Sequence, residues 1–317
     1  VLTGFMQLIS FIGSAALFVP LLVVVFWCVD TRLGARLAVL MSVSGLLNNV
    51  LKLTFNEPRP FWTDPSVTAH EVRDSFGMPS GHAQSAGALY GYLALRSVRR
   101  AVWAIATVMV LMIGVSRVYL GVHSVGQVLA GWAIGLTLAV LALWGAPRLV
   151  PLWARQPLMF QFALSLAVSG LCLAASWTAV RSLDGWRWPE PWARAIVDAG
   201  GSPEPVSQYA GASAAGALFG VLAGLSCLNA RGWFETGGET WRRLARIPVG
   251  VLGVVVIYGL GLPFGTADPV PGFVIQALLS LWVAAGAPEA FVRLGLATRS
   301  TPRPLTRPGE ELTETPL

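Results

Sequence analysis

Apolar runs about as long as a bilayer is thick recur from one end of this 317-residue chain to the other. A helix needs about 20 such residues to cross the hydrocarbon core. Nine segments can be marked: Met6–Cys28, Leu37–Leu53, Gly81–Leu95, Ala101–Ser116, Val125–Leu143, Leu158–Val180, Ala210–Leu228, Ile247–Leu262 and Val270–Ala287. The second, third and eighth are short, and tilt or flanking polar residues would extend them. Composition agrees, with 55% hydrophobic and 12% charged residues, where a soluble domain carries about a quarter charged. The expected class is therefore an all-α, polytopic membrane bundle of about nine transmembrane helices. The first run reads as a retained span, because a signal peptide has a shorter apolar core and a small-residue cleavage site.

Charge placement tests the count. Loops taken alternately, starting after the first span, hold 15 of the 22 basic residues, from Arg32 to Arg307. The other set holds Lys52, Arg59, Arg73, Arg117, Arg181, Arg187 and Arg194. Basic residues collect in cytoplasmic loops, which predicts an outer N-terminus and a cytoplasmic C-terminus. Nine spans require those opposite sides. The net charge of +6 then reflects orientation, and no basic run interleaved with aromatics points to nucleic acid.

Cys28, Cys172 and Cys227 lie in apolar runs without metal-ligand spacing and read as packing residues. Gly216, Gly220 and Gly224 repeat every four residues, a smooth face expected to pack within the chain. The outer loop from Arg181 to Ser207 carries Trp186, Trp188 and Trp192, the usual headgroup-layer anchors. The tail from residue 299, rich in Pro, Thr and Glu, is expected to be disordered and cytoplasmic.

Polar groups are costly in hydrocarbon, so their placement informs. Three clusters fall on the outer side. The first runs from Lys52, the sole lysine, to Arg59 and Pro60. The second is Pro79-Ser80-Gly81-His82, a capping pattern whose helix-terminal amides suit a phosphate. The third is Ser116-Arg117, five residues, then His123. Each alone reads as an ordinary interfacial or capping feature. Together they bring two of the three histidines to one membrane face. Lys52, Arg59, Arg117, a serine hydroxyl and helix-terminal amides make a cage for a phosphoryl dianion. Two histidines then divide nucleophilic attack from proton donation. No Asp/His cluster has two-metal spacing, so neither metal nor cofactor is expected.

These clusters resemble the signature of the type 2 phosphatidic acid phosphatase (PAP2) superfamily: K-x6-RP, PSGH and SR-x5-H-x3-D. Lys52 to Pro60 and Pro79 to His82 match fully, and Ser116 to His123 matches all but the last position. The resemblance implies that His123 is the nucleophile that becomes phosphohistidine and that His82 is the acid. It implies that Lys52, Arg59, Ser80, Gly81 and Arg117 bind the phosphate, with Arg117 also counted as catalytic. Gln127 stands where the family usually has the Asp that orients the nucleophile. It accepts a hydrogen bond but brings no charge. Glutamine here, with the flanking residues, is similar to the glucose-6-phosphatase and dolichyl-diphosphatase branches. Glu57, Glu71 and Asp74 are candidates for a replacement carboxylate, and His70 shares the outer loop.

The expected organisation is a PAP2-like catalytic core over residues 1–150, with motifs within 37–143. Further helices over 151–298 pack on it, and the tail covers 299–317. The expected function is metal-independent phosphatase action on a phosphate monoester or diphosphate of a lipid, polyprenyl or glycerolipid. The site would face the extracytoplasmic side of a bacterial plasma membrane, with membrane lipids as the other partners. The alternatives are a sugar-phosphate phosphatase and a transporter that binds phosphate without hydrolysis.

Overall fold

In the computed structural model, residues 1–203, 206–264 and 268–300 are described. Among them the regular structure is all helical, with one isolated β-bridge between Phe234 and Arg299. The helices are α1 (Leu2–Ile12), α2 (Ala15–Val24), α3 (Thr31–Phe55), α4 (Pro60–Thr63), α5 (Gly81–Leu95), α6 (Arg100–Tyr119) and α7 (Val125–Ala154). They continue with α8 (Leu158–Arg181), α9 (Glu190–Asp198), α10 (Gln208–Arg231), α11 (Thr240–Gly261), α12 (Pro269–Leu281) and α13 (Ala287–Arg293). A π turn at Val25–Val29 ends α2, and another at Trp282–Gly286 joins α12 to α13. Residues 301–317, most of the expected tail, lie outside the described residues.

Among the described residues, seven helices are long and apolar enough to cross a bilayer, or eight counting the first segment. That segment is bent by 45° between α1 and α2. Gly13 sits at the break, where a side chain would overlap Ile113 of α6. The ninth expected span is α5, only 15 residues long, or about 22 Å. It packs between α7, α6 and α3, with Ala83, Ala86, Ala88, Leu89 and Tyr92 buried. Most of its surface meets protein, so it does not need the apolar length of a lipid-facing span.

Alternation of direction gathers the motifs. Lys52 lies in the last turn of α3, His82 in the first turn of α5, Arg117 in the last turn of α6, and His123 just before α7. Close approach of α5 and α7 sets the spacing. A side chain at Gly131 would press on the Ser80 carbonyl oxygen, and one at Gly135 on that of Gln84. On the other side of the bundle, side chains at Gly216 and Gly220 would strike the Phe273 and Ala277 carbonyls of α12. That repeat does pack within the chain.

The opposite end is closed by Arg246, 1% exposed. It donates to the carbonyls of Trp27, Thr236, Gly237 and Leu296, while Arg243 donates to Cys28 O. These arginines satisfy carbonyls that the terminal π turn leaves free, a favourable use of cations at a helix C-terminus.

The tight α5–α7 contact predicts that Gly135→Ala lowers the thermal unfolding midpoint by several degrees, since overpacking costs about 1–3 kcal/mol. Gly145→Ala, where only Leu149 of the same helix is near, should leave it unchanged or raise it. Equal behaviour of the two variants in a detergent-solubilised melt would contradict this.

Candidate active site

The first cluster leaves α3 through Asn56, which takes the left-handed conformation at φ 39° and caps the helix on Lys52 O. This turn throws Glu57, Pro58 and Arg59 across the start of α7. Lys52 Nζ donates to the Phe76 carbonyl. Arg59 is 2% exposed and has all its donors engaged. Nε gives to Ser75 O (2.6 Å), NH1 to Val122 O (2.8 Å), and NH2 to Ser75 Oγ (3.1 Å) and Phe76 O (3.3 Å). The remaining NH1 hydrogen faces His123 Nε2 at 3.1 Å. Arg59 therefore cross-links the first cluster, the 75–76 loop and the histidine.

Aromatic packing holds that loop. Trp62 and Phe76 meet Trp188 with ring centroids 5.2 and 5.9 Å apart, and Trp186 lies 5.7 Å from Phe76. Trp192 also stacks in this group, and α9 rests on α4. The outer-loop tryptophans thus pack on the Arg59 loop. Each such pair contributes about 0.5–1.5 kcal/mol beyond its buried area.

Ser80 caps α5, its Oγ accepting from Ala83 N–H at 3.5 Å, and its own N–H donates to Gln127 O at 3.0 Å. That bond ties the second cluster to the third. Asn48 donates to Pro79 O (3.2 Å) and Gln84 Oε1 (2.9 Å), and Gln84 donates to Ser44 O (2.8 Å). This buried network fixes α5 to α3. Nothing in the sequence clusters pointed to Asn48, Gln84 or Ser44; only their polarity inside apolar runs was a signal.

His123 is 3% exposed. Ser124 caps α7 in a reciprocal capping box with Gln127. Gln127 Oε1 accepts from Ser124 N–H (3.2 Å) and lies 3.0 Å from His123 Nδ1. Its Nε2 donates to Glu57 Oε1 (3.0 Å) and Pro58 O (2.8 Å). Two acceptors on one side and a main-chain donor on the other fix the amide's orientation. The histidine proton then sits on Nδ1, and Nε2 presents its lone pair toward Arg59. Burial pushes the His123 imidazole well below its usual range, and the charges on Arg59, Lys52 and Arg117 push the same way. The Gln127 hydrogen bond opposes them but does not prevail.

Arg117 is fully buried. Its NH1 donates to Ser10 Oγ of α1 and to Glu71 Oε2 (2.8 Å), and Glu71 also accepts from Ser10 (2.8 Å) and Arg73 (3.0 Å). Burial opposes ionisation of Glu71, but Arg117, Ser10 and Arg73 together hold its carboxyl below the usual range. Arg117 Nε and NH2 and His82 Nε2 are buried with no hydrogen-bond partner. Such groups are expensive to leave unpaired, so they mark where a polar ligand would be stabilised.

Of the three candidate carboxylates, Glu57 reaches Gln127, while Glu71 serves Arg117. His70 is exposed and stacks on Tyr119 with centroids 6.1 Å apart, apart from this network. Among the described residues, no group of three or more His, Cys, Asp or Glu side chains gathers in a metal-binding arrangement.

Residues 33–151 match the PAP2 superfamily, and residues 212–299 match the transmembrane extension of PAP2 superfamily phosphatases. The chain is 34% identical over 154 residues to phosphatidylglycerophosphatase B of Bacillus subtilis, covering 44% of this chain and 71% of that protein. It is 30% identical over 159 residues to lipid phosphate phosphatase delta of Arabidopsis thaliana, 45% of this chain and 38% of the relative. With the dolichyldiphosphatase of Saccharomyces cerevisiae it shares 28% over 142 residues, 40% and 59% of the two lengths. The chain thus spans less than two thirds of the plant and yeast relatives. The crystal structure of a PAP2-type phosphatidylglycerolphosphate phosphatase from Bacillus subtilis is 30% identical, with a TM-score of 0.41, over 46% of this chain and 77% of that one.

A depressed His123 pKa keeps the ring neutral as pH falls through about 6.5, the ordinary imidazole value. In ring-labelled protein, the NMR resonances absent from His123→Ala should hold steady from about pH 8 to about pH 5.5. A titration centred near 6.5 would contradict the site's electrostatics.

Proposed function

The chain belongs to the PAP2 superfamily, and from that premise we propose that it is a phosphatase of membrane lipids working through a phosphohistidine. The observation that carries this reading is the set of unpaired buried groups on Arg117 and His82, together with a His123 Nε2 whose one partner is the Arg59 guanidinium. A phosphoryl dianion supplies the acceptors those groups need. It also offsets the mutual repulsion of Lys52, Arg59 and Arg117, which burial makes costly.

In this reading His123 Nε2 forms a bond to phosphorus as the P–O ester bond breaks. The electron pair leaves with the oxygen, which takes a proton from His82. His82 enters this step carrying the proton that it gives up. Water then attacks the phosphohistidine, gives its proton to neutral His82, and inorganic phosphate departs. Arg117, Lys52, the Ser80 hydroxyl and the Gly81 amide at the α5 N-terminus hold the equatorial oxygens. As phosphate arrives, the Arg59 NH1 hydrogen now facing Nε2 turns to a phosphate oxygen.

A lipid substrate is favoured over a soluble sugar phosphate by the wall beside the site. Between α6 and α7 lies a groove of about 350 Å³, lined only by Gly114, Val115, Val118, Tyr119, Val125, Val128, Leu129 and Trp132. Val125 of its lining is two residues from His123 in the chain, so in this reading a lipid tail in the groove would lie beside the segment that carries the nucleophile. The relatives named above act, by their names, on phosphatidylglycerophosphate, lipid phosphates and dolichyl diphosphate, the same chemical class. The reading includes a site on the extracytoplasmic side of a bacterial plasma membrane and a cytoplasmic C-terminus, an orientation that the excess of basic residues in the alternate loops supports.

Phosphate release by purified protein in EDTA is the test, across polyprenyl diphosphate, phosphatidic acid, phosphatidylglycerophosphate and glucose 6-phosphate. Long-chain lipids should be hydrolysed, and His123→Ala should cut turnover by about a thousandfold or more. Leu129→Trp, which fills the groove, should raise KM for long-chain lipids while sparing short-chain analogues. Turnover surviving in His123→Ala, or a preference for glucose 6-phosphate, would overturn the proposal.

A further inference from the structure

The family position one turn after the nucleophile holds Gln127, which cannot neutralise a cationic imidazole. We propose that Glu57 is the positioning residue that restores this charge, acting on His123 through the Gln127 amide. The inference rests on the phosphohistidine reading above and assigns to it a residue at a variable position of the first motif, between Lys52 and Arg59.

The geometry is a continuous line of hydrogen bonds. His123 Nδ1–H gives to Gln127 Oε1 at 3.0 Å, and Gln127 Nε2–H gives to Glu57 Oε1 at 3.0 Å. The amide cannot turn over without pointing its NH2 at the Ser124 N–H and its oxygen at both Glu57 and Pro58 O. A carboxylate on the NH2 side polarises the amide and makes its oxygen a better acceptor. When His123 bonds to phosphorus the ring becomes cationic, and the Nδ1–H bond strengthens just where that polarisation acts.

The surroundings keep the line short and bury its amide and imidazole. Gln127 is 1% exposed. Gly77 lies so close that a side chain there would overlap the Gln127 amide, and its N–H donates to Glu57 O at 2.7 Å. Glu57 stands beside the first turn of α7, where a helix terminus favours negative charge. Its position follows from the left-handed turn at Asn56. Glu71 is occupied by Arg117, Arg73 and Ser10, so it is not the partner of Gln127.

A consequence follows for residue 127 itself. An Asp there would face the Glu57 carboxylate across a short gap, and like charges so close force one to take a proton. The usual family residue should therefore be harmful here until Glu57 loses its charge.

The test compares wild type, Glu57→Gln, Gln127→Asp, the double variant and His123→Ala, reading kcat, KM and the phosphohistidine formation rate on a long-chain lipid phosphate. Glu57→Gln keeps an acceptor for the amide and removes only charge. It should lower kcat by about tenfold to a hundredfold, the scale typical of an orienting outer partner, with KM nearly unchanged. Gln127→Asp should lose more, and the double variant should recover above either single variant. Wild-type kcat in Glu57→Gln would overturn the proposal, even if Gln127→Asp fails to fold. So would a double variant no better than Gln127→Asp. Turnover retained by His123→Ala would instead sink the phosphohistidine reading, and this proposal with it.

Discussion

The His123 ring is held from both sides, with Gln127 on Nδ1 and Arg59 on Nε2. The first contact fixes the tautomer, so the second nitrogen carries a lone pair and no proton. The second contact places a guanidinium where negative charge would arrive. Neither bond is strong alone, since a net hydrogen bond is worth about 0.5–1.5 kcal/mol. Their importance is geometric, because the chemistry of an imidazole depends on which nitrogen carries the proton.

That clamp needs three chain segments to meet within a few ångströms. The α3 helix supplies one through the Asn56 turn, and α7 supplies another through its capping box. The third arrives because Gly131 and Gly135 let α5 lie almost against the α7 backbone, and Ser80 N–H then bonds to Gln127 O. The aromatic group around Trp62 and Phe76 weighs down the loop whose carbonyls hold Lys52 and Arg59. The far end is sealed independently by Arg246 on the carbonyls around the π turn. A cluster of buried like charges is thus tolerated because each has carbonyl or carboxylate partners, and a bound dianion would complete them.

Much of this was legible in the sequence. Apolar runs set the helical membrane class, and alternation of direction placed Lys52, His82, Arg117 and His123 at one end. Motif residues are legible because their polarity is anomalous inside hydrocarbon. What stayed hidden depends on long-range contacts with no local signature. Ser10 and Glu71 reach Arg117 from α1 and from a loop, and Asn48, Gln84 and Ser44 look like isolated polar residues until packed. The tryptophans of the outer loop carry the same composition whether they meet headgroups or Phe76. Glu57 was one of three equivalent carboxylates until its distance to Gln127 separated it. The short α5 falls below the length rule that lipid imposes because its neighbours shelter it.

Orthovanadate forms a five-coordinate mimic of phosphorus in transfer, so a structure of the vanadate-bound protein addresses the central claim most directly. The account predicts vanadium bonded to His123 Nε2, with Arg117 Nε and NH2 within hydrogen-bond distance of its oxygens and His82 Nε2 at the apical oxygen opposite. Vanadium bonded to Nδ1 or to His82, or vanadate bound outside this cluster, would contradict it.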